Sequence, residues 1–227
     1  MTFSWSGADG WVRLQATLDG MFTAVADLLV EQVDPGAGAV LDVGCGTGYF
    51  ARLLAREVGP QGNVVGIDAA PEMIDYARRK SSRWPNCQFL VGTAEALQLA
   101  PEQFDLVVSS MFMHHLPEEL RVQALREMLT VVRPGGTLLV ADGHFPHHGV
   151  RGHLIDMLGH GAMRRTMAPD LEPLVAAAGF DQIETGKAPL WLHYVRAVRP
   201  PTARTSSAQS VTETSNRAPR TSHRGVG

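Results

Sequence analysis

Two groups of residues in this chain could do chemistry. The first is a glycine-rich run, Leu41-Asp42-Val43-Gly44-Cys45-Gly46-Thr47-Gly48, followed twenty residues later by a second acid, Asp68. Glycines let backbone approach a ligand closely, and a helix starting beyond them offers unbonded N–H groups to negative charge. A dinucleotide-binding turn needs G-x-G-x-x-G, but here the third glycine comes one residue early and Tyr49 stands in the sixth position. Asp42 also puts a carboxylate where a pyrophosphate would be repelled. The second group is histidine: His114 and His115 in one cluster, then His144, His147, His148, His153 and His160 in another. An imidazole titrating at about 6.5 suits proton transfer at neutral pH.

A ligand carrying an ammonium, a carboxylate and a sulfonium suits the first group better than a dinucleotide does. Its cation would face Asp42 and its carboxylate the helix start. S-adenosylmethionine has all three, and its product is S-adenosylhomocysteine. Asp68 could accept from both ribose hydroxyls, as an acid does in dinucleotide folds, or it could simply cap the following turn. Met73 could wall an adenine or belong to the core, and Cys45 reads as a small buried thiol rather than a nucleophile. Methyl transfer is an in-line displacement in which the protein positions the acceptor and removes a proton only if there is one to remove. His144 and His115 are the candidate bases; a solvated loop position for His144 and a structural hydrogen bond at the head of the next helix for His115 are the competing roles. Asp142, His144 and His148 could instead hold a divalent ion, but no metal is expected.

These residues need a scaffold. Trp11, Leu14, Leu18, Phe22, Val25 and Leu29 recur at helical spacing, predicting an N-terminal helix over 11–35 that Asp34-Pro35-Gly36 ends. Apolar runs predict strands at Ala39–Val43, Asn63–Asp68, Cys87–Val91, Phe104–Ser110 and Thr137–Ala141. Between them fall a helix carrying Phe50, Leu53, Leu54 and Val58, one from Pro71 to about Arg83, and one opened by Pro117, which Pro134-Gly135-Gly136 turns into the fifth strand. A last helix over Pro169–Ala178 ends at Gly179, and two strands, Asp181–Lys187 and Leu190–Val198, follow without a helix between them. Alternating strands and helices predict an α/β, doubly wound parallel sheet, with an antiparallel C-terminal hairpin at its edge. In such a sheet the ligand lies beyond the carboxyl ends of the strands, which is where the glycine run and both histidine clusters fall. Leu154, Ile155, Met157, Leu158, Met163 and Met167 make 143–168 a small substrate lid that, with Met111, Phe112 and Met113, could enclose an apolar or aromatic acceptor.

With 227 residues, 44% hydrophobic and 19% charged, the chain makes one domain with a sizeable core. A net charge of −3 argues against nucleic acid, and no apolar run approaches a membrane span. Two cysteines make neither a disulfide framework nor a zinc set, and the N-terminus lacks a signal peptide's pattern, so a cytoplasmic monomer or homodimer is expected. Residues 199–227 hold five Ser, five Thr, three Pro and no aromatic, with five Arg against one Glu, and read as a disordered basic tail after a domain over 1–198.

Five segments in order resemble class I S-adenosylmethionine-dependent methyltransferases of the small-molecule type, similar to enzymes of ubiquinone and menaquinone biosynthesis and of natural-product pathways. They are the glycine run, Val65 to Met73, Gly92-Thr93-Ala94-Glu95, Phe104 to Ser110, and Arg133 to Val140. The resemblance spans Trp11 to Val198 and implies a Rossmann-like, mostly parallel seven-stranded sheet of order 3-2-1-4-5-7-6. It implies that Asp42, Gly44, Cys45, Gly46 and Gly48 hold the methionyl part and Asp68 the ribose. Ala69 and Met73 would pack on adenine, Ala94 would offer its backbone to the adenine edge, and Ser109 would sit beside the methionyl amine. Thr93 departs from the family, which often has Asp there; its hydroxyl, Glu95 or water would have to serve the adenine amine. The implied function is methyl transfer to a small acceptor. A catalytically silent cofactor-binding module and a nicotinamide-dependent oxidoreductase are the alternatives, the latter disfavoured by the glycine spacing and Asp42.

Overall fold

The computed structural model describes residues 10, 12, 30–31, 38–143, 170–188 and 192–201. All but residues 12, 30 and 31 of the expected N-terminal helix over 11–35, His144 with nearly all of the expected lid, and the tail beyond residue 201 lie outside these. The described elements run β1 (Ala39–Val43), α1 (Tyr49–Glu57), β2 (Asn63–Asp68), α2 (Pro71–Lys80), β3 (Cys87–Val91) and β4 (Phe104–Ser110). A single helical turn (Met113–His115), α3 (Glu118–Val131), β5 (Val132–Gly143), α4 (Leu171–Ala178), β6 (Asp181–Ala188) and β7 (Leu192–Val198) complete them.

The seven strands form one sheet, ordered β3-β2-β1-β4-β5-β7-β6. The first five are parallel; β7 runs antiparallel to β5, and β6 antiparallel to β7. This is the Rossmann-like methyltransferase fold that the resemblance implied. Successive β1 residues explain the apolar run: Val40 joins a cluster with Phe50, Leu54, Ile74 and Ala77 of α1 and α2, while Leu41 and Val43 join one with Leu125, Met128 and Val175 of α3 and α4. Both sheet faces are thus dry, and a parallel strand buried on both sides has no polar face to alternate with. Asp42 is the exception inside that run.

Chain order reverses between β1 and β4, which pair side by side although β2 and β3 separate them in sequence. The crevice at that switch is where such sheets bind ligands. The fifth strand departs from expectation. Instead of starting at Thr137 after a turn, β5 begins at Val132, and the Pro134-Gly135-Gly136 segment bulges between two stretches paired to β4, Phe104 opposite Val132 and Leu106 opposite Thr137. The bulge is held from the other side, since the Gly135 N–H donates to the Arg199 carbonyl and the Arg199 N–H to the Gly136 carbonyl, both at 2.9 Å.

Arg199 therefore corrects the expected tail boundary. Composition assigned it to the tail, but its guanidinium donates to the carbonyls of Leu129, Thr130 and Val132 at the end of α3, at 3.0, 3.1 and 2.6 Å, and to Glu102 at 3.0 Å. Terminal helix carbonyls lack intrahelical partners and attract cations, a long-range demand that composition does not register. Arg199→Ala is expected to cost about 1.5–3 kcal/mol, a fall of roughly 3–12 °C in melting temperature. Calorimetry checks this; an unchanged transition would mean that water caps the helix equally well.

Candidate functional site

The loop after β1 is built for close approach. Gly44, Gly46 and Gly48 all have positive φ, at 75°, 51° and 72°. At Gly44 even a methyl group is excluded, since a Cβ would fall 2.2 Å from Cγ of Phe112. At Gly46 a Cβ would meet nothing within 4 Å, so the backbone there borders open space. The loop is pinned to β2, with the Gly44 and Cys45 N–H groups donating to the Ile67 carbonyl at 2.8 and 3.0 Å. Gly48 then caps α1 with no side-chain bond, leaving the helix start to other acceptors.

Asp42 and Asp68 are brought together here. Asp42 is 1% exposed, and its Oδ2 has no hydrogen-bond partner among the described residues. Burial, and then the nearby charge of Asp68, push its carboxyl up to about 7, which the Ala51 backbone N–H only partly offsets. A buried acid in this condition lacks a cation or a donor. Asp68 accepts from the Gly46 N–H through Oδ2 and the Ala70 N–H through Oδ1, both at 2.9 Å. Its pKa is raised by burial, against the lowering effect of those two bonds. Asp68 thus caps the turn before α2, and each oxygen retains a lone pair for a hydroxyl.

The remaining expected residues fall around this loop with differing surroundings. Ser109, 1% exposed, donates from Oγ to the Val43 carbonyl at 3.0 Å, which ties β4 to the end of β1. Met73 is buried yet belongs to neither hydrophobic cluster, Ala69 is exposed, Thr93 is exposed, and Ala94 packs into the α3 side of the core. Cys45 is buried; desolvation, then Asp42 and Asp68, push its thiol well above the ordinary value, which suits packing and not attack. A surface concavity lined by Arg78, Ser81, Trp84, Cys87 and Leu90 shares no residue with this group.

Beyond β4 the chain turns through Met111, a non-glycine residue at φ 53°, whose N–H bonds the Ala141 carbonyl at 2.8 Å. Such strain persists where surrounding structure enforces it, and here it lays Phe112 over Gly44. The two histidines that follow differ. His115 is pushed down to about 4, first by burial and then by the neighbouring His114, with Asp142 acting the other way. Its residue surface is nonetheless exposed, so hydration of the open face argues for a smaller fall in the same direction. A lowered imidazole is a poor proton acceptor at neutral pH, so the expectation of a base at His115 finds no support. His114 belongs to the same cluster, and nothing adjacent in the sequence distinguishes it from His115. The His114 Nδ1 lies 2.6 Å from Asp142 Oδ1, a partner 28 positions away that no local spacing announces.

Known proteins bear on this arrangement. Residues 40–136 match the family described as "Methyltransferase domain". That match takes in the glycine run, Asp68 and Ser109 but less than half of the chain. A 2-phytyl-1,4-naphtoquinone methyltransferase of Thermosynechococcus vestitus is 38% identical over 112 residues, covering 49% of this chain and 49% of that protein. An arsenite methyltransferase of Halobacterium salinarum is 34% identical over 151 residues, 64% of this chain and 38% of that one. The chain thus spans about half or less of the length of these relatives. In three dimensions a SAM-dependent methyltransferase from Aquifex aeolicus superposes with a TM-score of 0.67 at 20% identity, over 87% of this chain and all of the other, a likeness of fold. The matched range ends within β5, at the Pro134-Gly135-Gly136 bulge, while the rest of β5, with α4, β6 and β7, completes the same sheet beyond it. No helix among the described residues is long and apolar enough to cross a membrane.

Proposed function

We propose that the chain transfers a methyl group from S-adenosylmethionine to a small apolar or aromatic acceptor, leaving S-adenosylhomocysteine. The observation that carries this reading is the unpartnered Oδ2 of the buried Asp42 carboxyl beside a glycine loop with open space at Gly46. That combination fits a ligand with a cationic end and would repel a pyrophosphate. Bound there, the cofactor would supply an electrophilic methyl group, its carbon–sulfur bonding pair returning to sulfur as the acceptor's lone pair forms the new bond.

The chain's own part is placement. Asp42 would take the ammonium, the glycine loop and the start of α1 the methionyl carboxylate, and Asp68 the ribose hydroxyls. Met73 and Ala69 would flank adenine, Ala94 would meet its edge, and the Ser109 hydroxyl would accept from the ammonium. Orientation of this kind supplies on the order of 7–11 kcal/mol of barrier lowering. The acceptor class is argued from Met111 and Phe112, half-buried beside the loop, whereas Met113, also expected to enclose the acceptor, is fully buried in the core; the naphthoquinone relative supports an aromatic one.

A thermal-shift comparison tests the cofactor assignment. S-adenosylhomocysteine at a hundred times its dissociation constant is expected to stabilise by about 2.7 kcal/mol, a shift of roughly 5–11 °C, with no effect from NAD. A shift with NAD alone would overturn the reading of Asp42 and the glycine spacing.

A further inference from the structure

The surface where α2 ends and β3 begins has a chemistry that the cofactor site does not use. From Tyr76 to Ala94 the sequence holds four cations, Arg78, Arg79, Lys80 and Arg83, and no acid, in a chain whose net charge is −3. All four are exposed. Arg78 makes a loose surface pair with Asp75 at 3.6 Å, and Arg79 and Lys80 stand over the Tyr76 ring at 6.0 and 5.5 Å. Among the described residues no carboxylate pairs with Arg79, Lys80 or Arg83.

Beside these cations lies the concavity lined by Arg78, Ser81, Ser82, Trp84, Cys87 and Leu90. Its donors suit a phosphate. The Ser81 hydroxyl is buried without a hydrogen-bond partner, and Ser82 is exposed. Arg78 donates from Nε and Nη2 to the Phe89 carbonyl at 3.2 and 2.8 Å, which fixes the guanidinium against β3 while its other N–H groups stay available to an anion. Trp84 is half-buried, and an indole with one apolar and one polar side settles at the headgroup level of a bilayer.

The strand beneath is the edge of the sheet. A strand edge that faces water is commonly blunted by charge, as the opposite edge is by Asp181, Glu184 and Lys187 of β6. The β3 segment Cys87-Gln88-Phe89-Leu90-Val91 carries none. It holds instead the exposed large apolar side chains found among the described residues, Leu90 at 40% and Val91 at 51%. Cations, a hydroxyl-lined concavity, an indole and aliphatic side chains therefore share one strip. A second copy of that strip would set cations against cations.

We propose that the strip from Arg78 to Val91 docks the protein on an anionic phospholipid membrane. A headgroup phosphate sits against Arg78, Ser81 and Ser82, the remaining cations face neighbouring headgroups, and Trp84, Leu90 and Val91 meet the acyl boundary. The inference does not depend on the methyltransferase reading. It brings the chain to the phase in which an apolar acceptor dissolves.

Sedimentation of the full chain with vesicles tests this, using phosphatidylcholine alone and phosphatidylcholine mixed with phosphatidylglycerol. Binding is expected to the mixture only and should weaken as salt is raised. Lys80→Gln combined with Arg83→Gln should lower the partition coefficient about tenfold to thirtyfold, and Leu90→Ser combined with Val91→Ser about tenfold at unchanged charge. Tryptophan emission should move to the blue on the mixed vesicles, and Trp84→Phe, which keeps Trp5, Trp11 and Trp191, should lose most of that shift. Beyond the described residues the chain carries Arg204, Arg217, Arg220 and Arg224, which every variant retains. Undiminished binding in the Lys80 and Arg83 variant would assign the membrane contact to those arginines and overturn the proposal. No binding to the mixed vesicles would overturn it too: a melting temperature raised by glycerol 3-phosphate would then point to a soluble phosphate ester, and an unchanged one to an acidic protein. Titration with S-adenosylhomocysteine reads the cofactor assignment separately from all of these.

Discussion

Asp42→Asn is expected to make the cofactor-free protein more heat-resistant at pH 8 and scarcely different near pH 4, while weakening its hold on S-adenosylmethionine. The sign follows from the carboxyl's position at about 7 in the fold, above its ordinary value of 3.8. Such a group contributes stability that is fully present below 3.8 and lost as pH rises through about 7, because the fold favours the protonated form. At pH 8 the parent therefore holds a desolvated charge that the amide does not, worth up to about 4 kcal/mol, or on the order of 10 °C. The amide can no longer attract an ammonium, and losing a charge-assisted bond of about 1.5–3 kcal/mol should weaken binding roughly 10- to 100-fold. Melting curves at the two pH values and titration with S-adenosylmethionine check both halves. The parent should also release a proton on binding near neutral pH, visible as a dependence of the binding enthalpy on buffer, and the variant should not. Equal destabilisation by Asn at both pH values would show that Asp42 is held by a structural bond and not left waiting for a ligand.

Two glycines with one residue between them should part company under the same substitution. Gly44→Ala combines left-handed strain at φ 75° with a Cβ 2.2 Å from Phe112 Cγ, in a place where ring and backbone are both confined. Strain of about 1–2 kcal/mol and overpacking of about 1–3 kcal/mol add to a fall of roughly 4–20 °C in melting temperature. Gly46→Ala carries the strain alone, because its Cβ meets nothing within 4 Å. Its melting temperature should drop by only about 2–8 °C. The new methyl group nevertheless stands in the space assigned to the cofactor, so S-adenosylhomocysteine affinity should fall by about tenfold or more, an effect larger than the stability change predicts. Comparable losses of stability at both positions would mean that Phe112 yields. Unchanged affinity in Gly46→Ala would place the cofactor away from the loop.

Much of the scaffold was legible before any coordinates. Val40, Leu41 and Val43 announce a buried strand because a parallel strand is dry on both faces, and the glycines after them announce a turn because few other residues adopt positive φ. Asp42 stands out within that run for the same reason: a carboxyl in an apolar strand needs a partner, and its burial accounts for the raised pKa. The helix start at Pro71 and the stop at Gly179 are likewise written in single residues. What could not be read was pairing across distance. His114 and His115 are neighbours of the same type, and nothing adjacent separates them; β4 beside β5 brings Asp142 to one ring and leaves the other among atoms that disfavour its charge. Arg199 looks like its neighbours in a polar, proline-containing segment, and only the placement of β7 beside β5 brings it to the end of α3. Local backbone preference and burial periodicity are properties of consecutive residues, so strands, turns, the glycine loop and its acid were determined by the sequence itself. Proton affinity and hydrogen-bond partnership depend on what lies within a few ångströms, and across separations of 28 to 97 positions only the tertiary structure decided that.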